Sequence, residues 1–195
     1  MSSFLFAHVI KALKLRLAMI KSFYKVTRVA IKKTKIKAEY IKKLHLNKGP
    51  ARFTAIRNCH SLMKGFFISH KVEIVSYSIF EHFFLGLKKK PTKSILCLVD
   101  TNRRDLAIQK IDTSGKLVGK TKTLKINSDL IELLSQDYYL IGNGTEKLKD
   151  ISEFKFIKSK TLSVTKLKSN YFVNKYYKKK SNYKFPKIIY PYSPI

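Results

Sequence analysis

The side chains able to do acid–base or metal chemistry are few in this 195-residue chain, which holds 12 Asp and Glu against 41 Lys and Arg. Carboxylates that could act as general acid, general base or magnesium ligand are therefore scarce. His8, His45, His60, His70 and His82 show neither H-E-x-x-H nor H-x-x-x-H spacing, the separations that put two ligands on one helical face. A structural or surface role is the reading for each, and neither a metal site nor a catalytic residue is expected. Cys59 and Cys97 lie far apart with no CxxC or Cys/His cluster around either, so a zinc site and a disulfide framework are both unexpected and a reducing compartment is the default. The loops of common nucleotide-binding folds and hydrolases, G-x-x-x-x-G-K-[ST], G-x-G-x-x-G and G-x-S-x-G, do not occur. Gly142-Asn143-Gly144 is the one place where backbone N–H groups could cradle a phosphate, the other reading being a plain turn. No cofactor is expected.

The formal net charge is +29, an imbalance that draws a protein toward polyanions whatever its role. Only six of the 41 basic residues are Arg. A reader of bases would use the bidentate Arg fork, whereas a chain rich in Lys, Ile, Phe and Tyr and without Trp suggests an AT-rich genome and codon drift. A basic stretch with interleaved aromatics runs from Asn170 to Lys178 and is followed by Tyr183, Phe185 and Tyr190. Tyr171, Tyr176 and Tyr177 beside Lys175, Lys178, Lys179 and Lys180 are what a tail in contact with RNA would use for stacking and phosphate binding.

These residues need elements to position them, and 45% hydrophobic with 12% aromatic residues can build a core. From Phe6 the apolar Val9, Ile10, Leu13, Leu17, Ile20 and Tyr24 recur at 3–4 spacing with Lys11, Lys14 and Lys21 turned away, which predicts an amphipathic helix over 6–24. Such a helix packs on its own domain, pairs with another chain, or lies on an anionic membrane. Lys11, Lys14 and Arg16 interrupt the apolar stretch, so neither a signal peptide nor a membrane span is expected, and the cytoplasm is the expected location. After a frayed Lys-rich segment, 40–46 reads as a short strand ending at the turn Asn47-Lys48-Gly49-Pro50, 53–67 as a helix and 72–75 as a strand. Ser78-x-x-Glu81 has capping-box spacing and opens a helix to about Gly86. Lys88-Lys89-Lys90-Pro91 cannot continue it. Strands are expected at 94–99, 106–111 and 117–124, a helix at 128–134, a strand at 138–141, a short helix after the glycine turn, and a last basic helix at 162–177.

Lys48-Gly49-Pro50-Ala51-Arg52-Phe53-Thr54-Ala55-Ile56-Arg57 is hard to explain as core filler. It resembles the G-P-G-S-F-T-G-x-R signature of the TsaB (YeaZ) family, the non-catalytic relatives of TsaD in the actin-like ATPase superfamily. Gly49, Pro50, Phe53, Thr54 and Arg57 stand in matching positions, while Ala51, Arg52 and Ala55 replace Gly, Ser and the second Gly. A strand-to-helix turn needs such residues: Pro presets φ, small residues let backbones pass closely, and Thr caps. The resemblance continues in order with Val75 to Glu81, similar to V-S-S-L-E-A, and with Leu98 to Asp105, similar to I-D-A-R-R-x-E-V-Y. Ile141 to Gly144 is similar to V-G-D-G, and Tyr190 to Ile195 stops where P-x-Y-L-R would be expected. The family opens with a strand resembling I-L-A-I-D-T-S, and nothing before Phe6 resembles it.

The resemblance implies an α/β chain with the two-lobed actin-like ATPase (RNase H-like) fold and an incomplete first lobe. Residues 1–88 would form that lobe without its first three strands, through truncation, replacement or a misplaced start, leaving a sheet edge for a partner to cover. Residues 89–92 would be a linker, 93–157 the second lobe, 158–177 a C-terminal helix packing back and 178–195 a basic Tyr- and Pro-rich tail. The implied function is a non-catalytic scaffold in the making of threonylcarbamoyladenosine on transfer RNA. Its partners would be a TsaD-like catalytic subunit and, through the complex, a TsaE-like ATPase. Transfer RNA would be met indirectly or weakly, a second copy of the chain could take the partner's place, and no membrane is involved. Val9, Ile10, Leu13, Leu17 and Ile20, with Phe53 and Met63 of the second helix, are the residues expected at the partner surface. A basic RNA-binding module unrelated to TsaD, or a degenerate relict of the family, are the other readings.

Overall fold

The structure is a computed structural model that describes residues 25, 27–29, 32–51, 53–69, 71–162, 164 and 184–189. Residues 25, 27–29 and 32–34 are helical, and a 3-10 turn at Ala38–Tyr40 leads into the first strand. Strand β1 (Lys43–Asn47), helix α1 (Phe53–Phe66) and strand β2 (Glu73–Tyr77) form a β-α-β unit. β1 and β2 pair in parallel from Lys43 opposite Glu73 to Asn47 opposite Tyr77, which a crossover helix between them permits. Leu44 and Leu46 alternate with polar residues along β1 and are buried with Ile74 against Met63 and Phe67.

Helix α2 (Ile79–Leu85) starts at the expected capping box: the Glu81 N–H donates to Ser78 Oγ at 3.1 Å, and the Ser78 N–H donates to Glu81 Oε2 at 2.6 Å. Two backbone donors that the helix itself leaves unpaired are thus satisfied. A second, four-stranded sheet follows, with β3 (Ile95–Asp100), β4 (Asp105–Ile111), β5 (Leu117–Lys125) and β6 (Tyr139–Ile141) in the order β5-β4-β3-β6. β3, β4 and β5 are the expected antiparallel meander, and β6 runs parallel to β3.

The continuous apolar run of β3 follows from cover on both faces of this sheet. Leu96 and Leu98, with Leu106 and Ile108, pack under Leu130 and Leu134 of helix α3 (Ser128–Ser135) and under Leu148, Phe154 and Ile157. Ile95, Cys97 and Val99 face the other way, toward Phe80 and Phe83 of α2. Each such side chain contributes roughly 1.5–3 kcal/mol on burial. Although α2 precedes the Lys88–Pro91 stretch, its two fully buried Phe rings belong to the core of the sheet that comes after it.

The β4–β5 ladder is interrupted between Ile108 and Lys110. Gln109 there is almost wholly buried, donates to the Val118 and Gly119 carbonyls at 2.9 and 3.4 Å, and accepts from the Thr121 hydroxyl at 2.8 Å. Its amide takes the place of the missing ladder bonds of a bulge.

Two short helices, α4 (Gly144–Leu148) and α5 (Ile157–Lys160), complete the described elements. The expected helix from 162 does not start there. Thr161 bridges Leu140 in parallel, the Leu162 N–H donates to the Leu140 carbonyl at 2.9 Å, and the Gly142 N–H donates to the Val164 carbonyl at 2.9 Å. The chain is extended along the free side of β6, where the backbone groups of a strand offer partners that a helix start would forgo. Residues 165–177, the rest of that expected helix, lie outside the described residues, as does the expected helix over 6–24. Among the described residues no helix is long and apolar enough to cross a membrane.

Candidate functional site

The signature segment forms the corner between β1 and α1. The Lys48 N–H continues the ladder to the Tyr77 carbonyl at 2.8 Å, and the Gly49 N–H donates to Asn47 Oδ1 at 2.8 Å. The Gly49 carbonyl then accepts from Ile79 N–H at 2.9 Å, tying the corner to the first turn of α2. Gly49 has φ +105°, and the Gly49–Pro50 peptide is cis. From α1, His60 reaches back with Nε2 2.8 Å from the Asn47 carbonyl, so that nitrogen carries the proton and donates. Strand-to-helix turn chemistry is therefore in place at Gly49 and Pro50, Phe53 and Thr54 open α1, and Arg57 lies exposed on it.

A segment from the far end of the chain closes the corner. The Ile189 N–H donates to the Lys48 carbonyl at 2.5 Å, and a Cβ on Gly49 would stand 2.2 Å from the Ile189 carbonyl oxygen. Phe185 joins the core of the β-α-β unit, 6.4 Å from the His60 ring between centroids and with Lys64 Nζ 5.9 Å from its own. Sequence reasoning placed 178–195 as a basic tail and missed this strap. The signal was present in Phe185-Pro186 and Ile188-Ile189, apolar residues that interrupt the Lys-rich run.

Met63 corrects one expectation. It was expected at a partner surface and is fully buried in the chain's own core, because α1 turns Ile56, Met63 and Phe67 toward the strands. The exposed side of α1 carries Arg57, Ser61, Lys64 and Gly65. Val9, Ile10, Leu13, Leu17 and Ile20, and Lys175, Lys178, Lys179 and Lys180, lie outside the described residues.

At the other glycine turn, Gly142 has φ +103° and its Cβ would lie 2.1 Å from the Leu98 carbonyl oxygen, while a Cβ on Gly144 would lie 3.0 Å from the same residue's backbone. Close passage of β3 accounts for both glycines. The Gly142 N–H is used by Val164, and its carbonyl accepts from the Thr145 hydroxyl at 2.8 Å. Beside it, Asp100 pairs with Lys147 at 2.7 Å, and the Asp100 N–H donates to Asn143 Oδ1 at 3.2 Å. The nearest carboxylate and ammonium thus neutralise each other. Burial pushes the Cys59 thiol up to about 11 and the Cys97 thiol well above its ordinary value, which keeps both protonated and weakly nucleophilic. Among the described residues no group of three His, Cys, Asp or Glu could hold a metal ion.

No family model and no curated protein matches the chain. Solved structures are similar to it, two of them as follows. One is an uncharacterized protein with similarity to peptidase YeaZ, from Pseudomonas aeruginosa, at 10% identity and a TM-score of 0.59 over 88% of this chain and 83% of that one. The other is YeaZ from Pseudomonas aeruginosa, at 11% identity and a TM-score of 0.51 over 67% of this chain. The chain spans 63% of that second structure, just under two thirds. At these identities the likeness shows the fold: this is a mixed α/β chain with the actin-like ATPase fold of the YeaZ (TsaB) proteins.

Proposed function

We propose that the chain is a non-catalytic, TsaB-like subunit that binds and supports a TsaD-like catalytic subunit in making threonylcarbamoyladenosine on transfer RNA, with a TsaE-like ATPase joining through the complex. The observation that carries this reading is the corner at Gly49. The residues that resemble the family signature occupy a strand-to-helix turn in a chain whose fold is that of YeaZ. The chemistry belongs to the partner. Val9, Ile10, Leu13, Leu17 and Ile20, on the helical spacing of 6–24, supply the apolar seam, and the exposed side of α1 replaces Met63 as the second contact.

Co-purification with the TsaD-like subunit of the same cell tests it. Leu13→Glu with Leu17→Glu places two charges in that seam and should weaken association by several kcal/mol, on the order of the cost of burying unpaired charge. Failure of the unaltered chain to co-purify would remove the proposal. Co-purification unaffected by the double substitution would move the interface away from 6–24.

A further inference from the structure

The four-stranded sheet has two edges, and the chain treats them differently. Beside β6 it supplies its own cover, with Thr161 bridging Leu140, the Leu162 N–H bonded to the Leu140 carbonyl and the Val164 carbonyl to the Gly142 N–H. Beside β5, at the other end of the order β5-β4-β3-β6, no described residue is paired. β5 is also the longest of the described strands, nine residues without Pro. From Lys122 to Lys125 it runs in regular register with Ile108 to Asp105 of β4. A row of N–H and C=O groups therefore stands open on its outer side.

Charge sets this edge apart from its surroundings. Outside 113–128, residues 81–153 carry nine Lys and Arg against ten Asp and Glu, whereas 113–128 carries Lys116, Lys120, Lys122 and Lys125 and no acid. Codon drift toward lysine would not confine the excess to one strand and its flanks. All four lysines are exposed, and among the described residues no ion pair or hydrogen bond engages their ammonium groups. Lysines on an open edge discourage pairing with neutral or basic strands, and a second copy of this chain would bring the same four. Toward an acidic strand they attract, because opposite charges across a strand pair are favourable. Lys120-Thr121-Lys122-Thr123 also alternates a charge with a β-branched strand former, a pattern that an alternating acidic strand would match.

We propose that the outer edge of β5 binds an extended acidic segment of a partner protein, adding it to the sheet as a fifth strand with carboxylates set against Lys120, Lys122 and Lys125. The occupant is a polypeptide because an open edge alternates donors and acceptors, each kind recurring about 6.8 Å apart, and another backbone answers both. Phosphodiesters offer acceptors alone and would leave the carbonyls of β5 unpaired. A lipid surface needs an apolar face, and Val118 is the one large hydrophobic residue exposed on this strand. Backbone bonds supply the binding, and the lysines select which strands may make them.

The test uses the full chain alone, with a capped, fluorescent eight-residue peptide of alternating Glu and Thr as probe. Anisotropy at about 50 mM salt reads binding, and amide exchange reads where it occurs. The peptide should bind and slow exchange in Leu117–Lys125 while β3 and β6 stay unchanged. Lys120→Gln with Lys122→Gln should weaken binding about five-fold or more. Lys155→Gln with Lys158→Gln, an equal loss of charge at exposed positions outside β5, should leave it within about two-fold. The same peptide N-methylated at every residue keeps its charge, loses its N–H donors and should not bind measurably. Equal binding of the methylated peptide, equal weakening in the two variants, or no binding of the unmodified peptide would each overturn the proposal. Protection of β5 that rises with protein concentration in the chain alone would give the edge to a second copy. A DNA duplex that binds as tightly and loses as much in the Lys120 and Lys122 variant would give it to nucleic acid. The catalytic subunit takes no part, so these outcomes are separate from the co-purification that tests the partner reading.

Discussion

Gly49 and Gly142 each combine a positive φ with a backbone oxygen where a side chain would begin. Gly49→Val should therefore cost roughly 1–3 kcal/mol or more, read as a lower denaturation midpoint, and an unchanged midpoint would reduce the corner to an ordinary loop. Gly142→Ala should destabilise on the same grounds. Calorimetry with magnesium and ATP should show no binding before or after that change; micromolar binding would restore the phosphate reading of the turn. His45 offers a pH test. Burial, with Lys43 adding to it, holds its pKa below the ordinary 6.5, and its Nδ1 is buried without a partner. The unfolded chain then takes the proton first, so stability should fall as pH drops below 6.5 and level off once the folded form also protonates. Urea midpoints measured across that window should lose part of their slope in His45→Gln, and an identical slope would place the titration elsewhere. At this scale the signature residues were legible as types, but the oxygens that crowd Gly49 and Gly142 come from positions 189 and 98, which no local pattern reveals.

Among the elements, those built from short-range rules were readable. Ser78 and Glu81 announce α2, the alternation of Leu44 and Leu46 gives β1, and Asp112 to Lys116 marks the turn between β4 and β5. Leu162 and Val164 do not open the expected helix, because the value of their placement lies in backbone bonds to Leu140 and Gly142, not in their own spacing. The Gln109 bulge was likewise invisible, since a buried Gln reads as an error in a core strand until its partners on β5 are seen. Gln109→Leu should remove that support from Val118, Gly119 and Thr121. The cost should be about 1 kcal/mol, at the lower end for lost hydrogen bonds, because Val118 and Gly119 are exposed and water can replace the amide. Faster amide exchange confined to β5 is the expected signature, and unaltered exchange there would show that the bulge holds itself.

For the whole molecule, the order of β-α-β unit and meander was legible, and the resemblance named the fold that the solved structures show. What closes the first unit was not, because Phe185 lies 125 positions beyond His60, which it meets. Removing residues 184–195 should strip Phe185 from the core of the β-α-β unit and unpair the Lys48 carbonyl, leaving the four-stranded sheet to its own two faces. Amide exchange should then rise across 42–69 while β3 and β4 keep their protection. A uniform rise through both sheets would mean that they unfold as one cooperative unit.

The Ile189 bond to Lys48 spans 141 positions, and this separation sets a schedule during synthesis. At about 5–20 residues per second, the corner at Gly49 waits roughly 7–28 s after its own residues are made before the strap is translated. Late in that interval the meander can form while the first unit stands unlatched beside the ribosome, exposed to proteases and to other nascent chains. Ribosome-bound chains arrested after β6 should be cut by protease within 42–69, and released full-length chains should resist. Equal resistance in both would show that the first unit matures without its strap.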